Sequence, residues 1–352
     1  MLNSKKAMTA LMITLVVLMM GFNGLAQPVY TIKYVASGPA DPLVYVPYTV
    51  GYVFKNLVED RTQGRVKVDL YPAGQLGSQR EGIEGVMMGT VEAASVNLAA
   101  LSGFFPEMDV YGIPWLFPSE EVAARVFDGP FGQALEKEMR DRLGIRIAGG
   151  ISILGYRHMT NGVRPIRTPA DLKGLKMRTM DNPTYIEMFR SLGAVPTPIA
   201  IGETYLALQM GTVDGHENPA NVIESYKFYE VQKYLTLTGH VLSGQVMVMS
   251  EAYLNSMPTD IREAVLDAAR DAVVNVRGAA MLLDVMSRTN LAEKGMQVYM
   301  PTEAEQALFR EKTQGPAVEL LKKSMDPKWV DGVLQAVEDA KIEIKKEKEP
   351  FL

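Results

Sequence analysis

The sequence predicts an α/β protein of two units, joined by strand crossings and finished by helices. A strand, helix, strand, helix, strand succession over residues 30–96 demands crossover connections and a largely parallel sheet. The same alternation resumes from about residue 155 and runs to His240, which makes a second α/β unit. Beyond Tyr299 no strand pattern is visible, only helical periodicity. A chain of 352 residues is long for one core, which agrees with two units.

Taken in order, Tyr30 to Val35 alternates as an opening strand and ends at Ser37-Gly38-Pro39. Residues 42–60 carry a helical apolar pattern that contains Tyr45, Tyr48 and Tyr52. Arg65 to Leu70 is the cleanest alternating run and stops at Pro72. Ser78 with Glu81 three residues on predicts a capping box, Gly89 ends that helix, and Val91 to Val96 returns as a buried strand. Pro106, Pro114 and Pro118 keep Phe104 to Phe117 irregular, and Ser119 caps one long helix to about Leu143. Ile145 to Ala148 and Ile151 to Met159 read as two strands, the second ending in Tyr156-Arg157-His158. Val246 to Ser250 is one more strand, followed by a long amphipathic helix from Asp260 to Lys294. Pro301-Thr302 opens another helix, and Asp326-Pro327 caps and starts a terminal one to about Lys346.

The amino terminus has its own layout. Lys5 and Lys6 precede a charge-free apolar run, Ala7 to Met20, and Gly24-Leu25-Ala26 closes it with small outer residues. That is the form of a cleaved secretory signal over residues 1–26, with Gln27 starting the mature chain; the run falls short of the ~20 residues a membrane span needs. The formal charge of −5 becomes −7 without the two lysines of that segment, leaving no basic footprint for nucleic acid or anionic lipid. There is no cysteine, so disulfides, thiolate metal ligands, a thiol nucleophile and a lipid-anchored cysteine are all excluded. An exported chain without disulfides points to a bacterial periplasm and to stability drawn from a large core.

Enzyme signatures are missing. The sequence holds no phosphate-binding G-x-x-x-x-G-K-[ST], no G-x-S-x-G and no H-E-x-x-H. The three histidines, His158, His216 and His240, lie far apart and read as structural or hydrogen-bonding groups; no metal and no cofactor are expected. Arg157 and Arg178 are different, because each ends an apolar strand, where side chains enter the crevice outside an α/β sheet. A guanidinium there either grips a carboxylate with its planar fork or closes an internal salt bridge, for example to Glu217 or Asp181. Asn218, in a His216-Glu217-Asn218-Pro219 turn, either offers its amide to the same carboxylate or is ordinary turn chemistry.

These stretches resemble the solute-binding subunits of TRAP (tripartite ATP-independent periplasmic) transporters, the DctP-like family. The resemblance rests on Asp171 to Arg178, Gly193 to Pro198, Glu203 to Gln209, Val213 to Pro219 and Lys227 to Tyr234, with Gly64-Arg65-Val66 and Tyr71 to Gly77 upstream. It implies a two-lobed periplasmic binding protein fold, type II-like, with a hinge and a long bracing helix. Lobe I is then expected at 27–154 plus 243–283, and lobe II at 155–242 plus 284–352. The resemblance also implies that Arg178 clamps a substrate carboxylate, that Asn218 partners it, that Arg157 is a second basic contact and that Glu217 supports the arginines from behind. Gln79, Arg80 and Asn97 fall where first-lobe residues line the pocket, and His216 stands where the family usually has Gln.

The implied function is capture of an organic acid by lobe closure and its delivery to two integral membrane subunits, driven by an ion gradient. The alternatives are a binding protein that reports to a signalling receptor and, lacking any evident nucleophile, a periplasmic hydrolase. Tyr45, Tyr48, Tyr52, Phe104 and Trp115 are candidate pocket walls, with core packing as the competing role. A monomer is the simpler expectation.

Overall fold

The computed structural model describes residues 30–349; the expected signal segment, residues 1–26, lies outside them. Strands β1 (Tyr30–Ala36), β2 (Val66–Tyr71), β3 (Ala93–Asn97), β4 (Ile145–Tyr156) and β10 (Leu242–Ser250) form a 5-stranded sheet in the order β2-β1-β3-β10-β4. A 6-stranded sheet holds β5 (His158–Asn161), β6 (Lys176–Thr179), β7 (Val195–Pro198), β8 (Gly215–Asn218), β9 (Tyr234–Thr236) and β11 (Gln297–Tyr299), in the order β11-β9-β5-β8-β6-β7. These sheets are the centres of two lobes.

Each sheet contains one antiparallel strand, and in both cases it is the strand that has just crossed from the other lobe. β5 enters from β4 and runs antiparallel to β8 and β9; β10 returns from β9 and runs antiparallel to β3 and β4. The two crossings bond to each other: the Arg157 amide donates to the Val241 carbonyl (2.8 Å) and the His240 amide to the Arg157 carbonyl (3.2 Å). Arg157 is the single residue between β4 and β5, so it lies in the hinge itself.

Several sequence signals act as expected. Ser78 accepts from the Glu81 amide while the Glu81 carboxylate accepts from the Ser78 amide (2.7 Å), and Gly89 closes that helix in a left-handed conformation at φ +71°. Other expectations need correction. Ser119 caps a helix that stops at Asp128, because Gly129 is extended and Pro130 starts a second helix to Leu143. The strands expected at Ile145–Ala148 and from Ile151 join into one strand, β4, kinked where Gly149 and Gly150 adopt φ of +82° and +92°, and the end expected at Met159 falls in β5 instead. A Cβ on Gly149 would lie 2.3 Å from the Ala269 carbonyl oxygen, so only glycine lets the strand press against the long helix.

That helix, Thr259–Glu293, is 35 residues long and braces both lobes. Ala268, Ala269, Ala272, Val273 and Val276 pack into the core beneath the first sheet, while Leu291 belongs to a core of the second. In its last third, Asp284 accepts from the Ala220 amide of the second lobe (3.2 Å). The terminal helix Pro327–Lys348, expected with lobe II, packs on lobe I instead. Its stripe of Val330, Val333, Val337, Ala340 and Ile344 shares a core with Val122 and Leu135, because that apolar face fits the groove between helices Glu120–Asp128 and Pro130–Leu143. Among the described residues, no helix is long and apolar enough to cross a membrane.

Candidate functional site

The second lobe supplies the cationic wall. β6 and β8 are parallel neighbours that bring Arg178 opposite His216, and Asn218 follows two residues along on the same face. Gly215 starts β8 because a Cβ there would meet the Thr160 carbonyl at 2.1 Å. Glu217, on the opposite face of the strand, reaches back toward the hinge.

Arg157 is 2% exposed and fully engaged with Glu217, itself 0% exposed. Its Nε donates to Glu217 Oε2, and its Nη2 donates to Glu217 Oε1 (2.7 Å), the Glu217 carbonyl (2.8 Å) and Asn218 Oδ1 (3.0 Å). Nη1 donates to Ser243 Oγ (3.2 Å), and the guanidinium lies 5.4 Å from the Tyr185 ring centre. Burial works to raise the Glu217 pKa, but the Arg157 charge and hydrogen bonds, helped by His240, outweigh it and hold the carboxyl at about 2.

Arg178 presents the opposite case. It is equally buried, its Nε donates to the Ile199 carbonyl (2.8 Å), and its Nη1 has no hydrogen-bond partner. No carboxylate closes a salt bridge with it among the described residues. Burial pulls its pKa down to about 10 against the attraction of Glu217, with Arg157 adding repulsion. A desolvated guanidinium with an idle donor has the chemistry to receive an anion.

Both arginines and Asn218 line a cavity of about 730 Å³ between the lobes. The facing wall is polar, with Arg80 and Glu81 at the start of one helix beside neutral amides and hydroxyls. Gln79 Oε1 accepts from the Asn97 amide (2.8 Å), and Asn97 Nδ2 donates to Ser243 Oγ (3.0 Å). Gln245 Nε2 donates to Ser95 Oγ (3.0 Å) on the neighbouring strand. An aromatic corner completes the site: Tyr45 and Tyr226 meet edge to face at 5.7 Å, and the Tyr226 hydroxyl donates to the Ser37 carbonyl (3.3 Å).

Of the residues singled out from the sequence, Arg178, Arg157, Asn218, Gln79, Arg80, Asn97 and Tyr45 meet at this cavity. Glu217 stands behind Arg157 and does not line it. Trp115 is not a wall. Its amide donates to the His240 carbonyl (2.7 Å), and its ring packs on a core of the second lobe and does not line the cavity. Tyr52 is exposed to solvent, and Phe104 lies under the Arg80 guanidinium at 5.1 Å. Sequence reasoning missed Ser243, Gln245 and Tyr226. The first two had a signal, since they are polar residues two apart on one face of an otherwise apolar strand. Among the described residues, no three metal-ligating side chains converge.

Fold and site together define a two-lobed α/β protein with a cavity between the lobes and two buried arginines on its wall. The chain belongs to the bacterial extracellular solute-binding proteins of family 7 (DctP), whose model matches residues 48–323. A solute-binding protein of Verminephrobacter eiseniae is 42% identical over 245 residues, covering 70% of this chain and 72% of that one. The sugar acid binding protein DctPAm of Advenella mimigardefordensis, solved with galactonate, superposes with a TM-score of 0.84 at 31% identity, covering 88% of this chain and 98% of that one. A TRAP periplasmic solute binding protein of Polaromonas, bound to D-erythronate, gives 0.80 at 35% identity, with 88% and 98% covered.

Proposed function

We propose that this chain is the periplasmic solute-binding subunit of a TRAP transporter and that its cargo is a small polyhydroxylated carboxylic acid. The observation that carries the reading is Arg178 Nη1, a buried cationic donor without a partner on the wall of a closed-in cleft. The substrate carboxylate docks on Arg178 with the amide of Asn218, while Arg157, held rigid by Glu217, supplies the field behind them. Gln79, Asn97, Ser243 and Gln245 offer amides and hydroxyls suited to a polyol chain. The cavity volume falls within the range of about 300–1,000 Å³ typical of small-molecule sites. Galactonate and D-erythronate, named in the two structures above, are acids of this kind.

Closure follows from geometry. A ligand touching both walls lowers the closed state more than the open one, and only such differential contact moves the equilibrium. Lobe I is taken as 27–154 with 243–283 and the terminal helix, lobe II as 155–242 with 284–324. Residues of both lobes line the cavity, so a ligand held there bridges them. A cleaved signal over 1–26 delivers the protein to the periplasm, where the closed complex meets the membrane subunits.

The test is thermal unfolding of the mature protein with D-galactonate, D-erythronate and succinate, beside Arg178→Ala. A ligand at 100 times its Kd adds about 2.7 kcal/mol of stability. A shift with one acid that is absent in Arg178→Ala supports the reading; a shift that survives in the variant overturns the site.

A further inference from the structure

We propose that His216 is a positioning residue that fixes the amide of Asn218 in its ligand-facing orientation, by accepting one of its two N–H bonds on Nδ1. This rests on the reading of the cleft given above and assigns a role to a buried residue of β8 beside Asn218.

An asparagine amide that faces a ligand can present its oxygen or its nitrogen, and the two choices have opposite chemistry. Here each end is held by a partner that fits only one choice. Arg157 Nη2 can only donate, and it meets Asn218 Oδ1 at 3.0 Å. His216 Nδ1 meets Asn218 Nδ2 at 3.1 Å, which requires an acceptor lone pair on that ring nitrogen. With oxygen and one N–H fixed, the second N–H is left for the cavity that Asn218 lines beside Arg178. A carboxylate needs donors only, so this orientation is the productive one.

The surroundings keep the imidazole in the accepting form. His216 is 0% exposed and faces Arg178 across the β6–β8 register. Arg157 stands beyond Asn218, and Glu217 engages Arg157 and His240 from the other side of the strand. Burial and the two guanidinium groups together oppose a third positive charge, and the ring is held down to a pKa of about 3. The proton therefore sits on Nε2, an atom with no hydrogen-bond partner. Phe228 lies edge to face with the ring at 4.4 Å and stacks on Tyr226 at 5.5 Å, so the imidazole plane is fixed by the aromatic corner of the same cavity.

The test uses the mature protein with D-galactonate as probe, and compares His216→Leu, His216→Gln and Asn218→Ala by calorimetry. His216→Leu removes the acceptor and is expected to weaken binding about tenfold, the worth of one hydrogen bond. His216→Gln restores an acceptor oxygen and is expected to remain within about threefold of wild type. In an Asn218→Ala background, His216→Leu has no further effect. A merely structural role would give additive losses in that pair, and this result overturns the proposal. An Arg178→Ala loss with an unaffected His216→Leu overturns it as well, while leaving the proposed function standing. A ligand-free readout is the ¹⁵N spectrum of His216: Nε2–H with an unprotonated Nδ1 supports the assignment, and an Nδ1–H tautomer refutes it whatever the protein binds.

Discussion

Arg157 and Glu217 form a two-point ion pair in the hinge, with both side chains shut away from solvent. The guanidinium also ties the strand crossing to Asn218 and Ser243, one residue from each lobe.

Breaking this pair from one side leaves a buried charge without its partner. Glu217→Ala should destabilise the protein by about 3–5 kcal/mol, measured by urea unfolding. Glu217→Gln keeps the shape and one acceptor and should lose less. A loss below about 1 kcal/mol for the alanine variant would show that Arg157 finds other compensation.

Arg178 should behave in the opposite way. Its buried charge has no carboxylate partner among the described residues, so Arg178→Met should leave the ligand-free protein as stable or about 1 kcal/mol more stable. Binding of the acid should be abolished. A strong destabilisation without ligand would mean that Arg178 is a structural residue.

Acid should weaken the fold from an unusually high pH. His158, His216 and His240 are all held below the ordinary histidine value, primarily by burial. In the unfolded chain they take up protons near pH 6.5, while the native protein refuses them, so stability falls as pH drops below that point. Each histidine contributes up to about 1.4 kcal/mol per pH unit. Asp109 acts in the other direction. Burial lifts its carboxyl to about 6 against the hydrogen bonds of Asn182 and Thr184, so its stabilising proton is present at low pH and lost as pH rises through 6. Urea midpoints should decline from pH 7 to pH 5, and more steeply in Asp109→Asn. A flat profile would contradict the assignment of three buried neutral histidines.

Gly149→Ala tests the seam between β4 and the bracing helix. The new methyl meets the backbone of Ala269, which cannot swing aside, and the positive φ adds strain. A loss of at least ~2 kcal/mol in chemical unfolding is expected; a neutral variant would mean that the helix is free to move away.

Much of this was legible in the chain. Local chemistry acts over three or four residues, so the Ser78–Glu81 box, the left-handed Gly89 and the Asp326-Pro327 start could be read directly. Arg157 and Arg178 stood out because a charged residue ending an apolar strand has few places to go. What the pattern could not say was which arginine is already satisfied. Both had a salt bridge and a ligand as candidate partners, and the pairing register of β5, β6 and β8 gives Glu217 to Arg157 alone. Trp115 stayed open between wall and core for a related reason, since an aromatic in an irregular apolar segment carries no direction until the tertiary contacts are known.

The sequence by itself determined the α/β alternation, the caps, the absence of thiol chemistry and the positions of the two cationic strand ends. Those depend on neighbours along the chain. The tertiary structure decided that β4 is one kinked strand, that the terminal helix packs in one core with the helices Glu120–Asp128 and Pro130–Leu143, and that Arg178 keeps an idle donor on the cleft wall. Each of these depends on contacts between residues tens to hundreds of positions apart, where free energy is set by packing and register and leaves no periodicity to read.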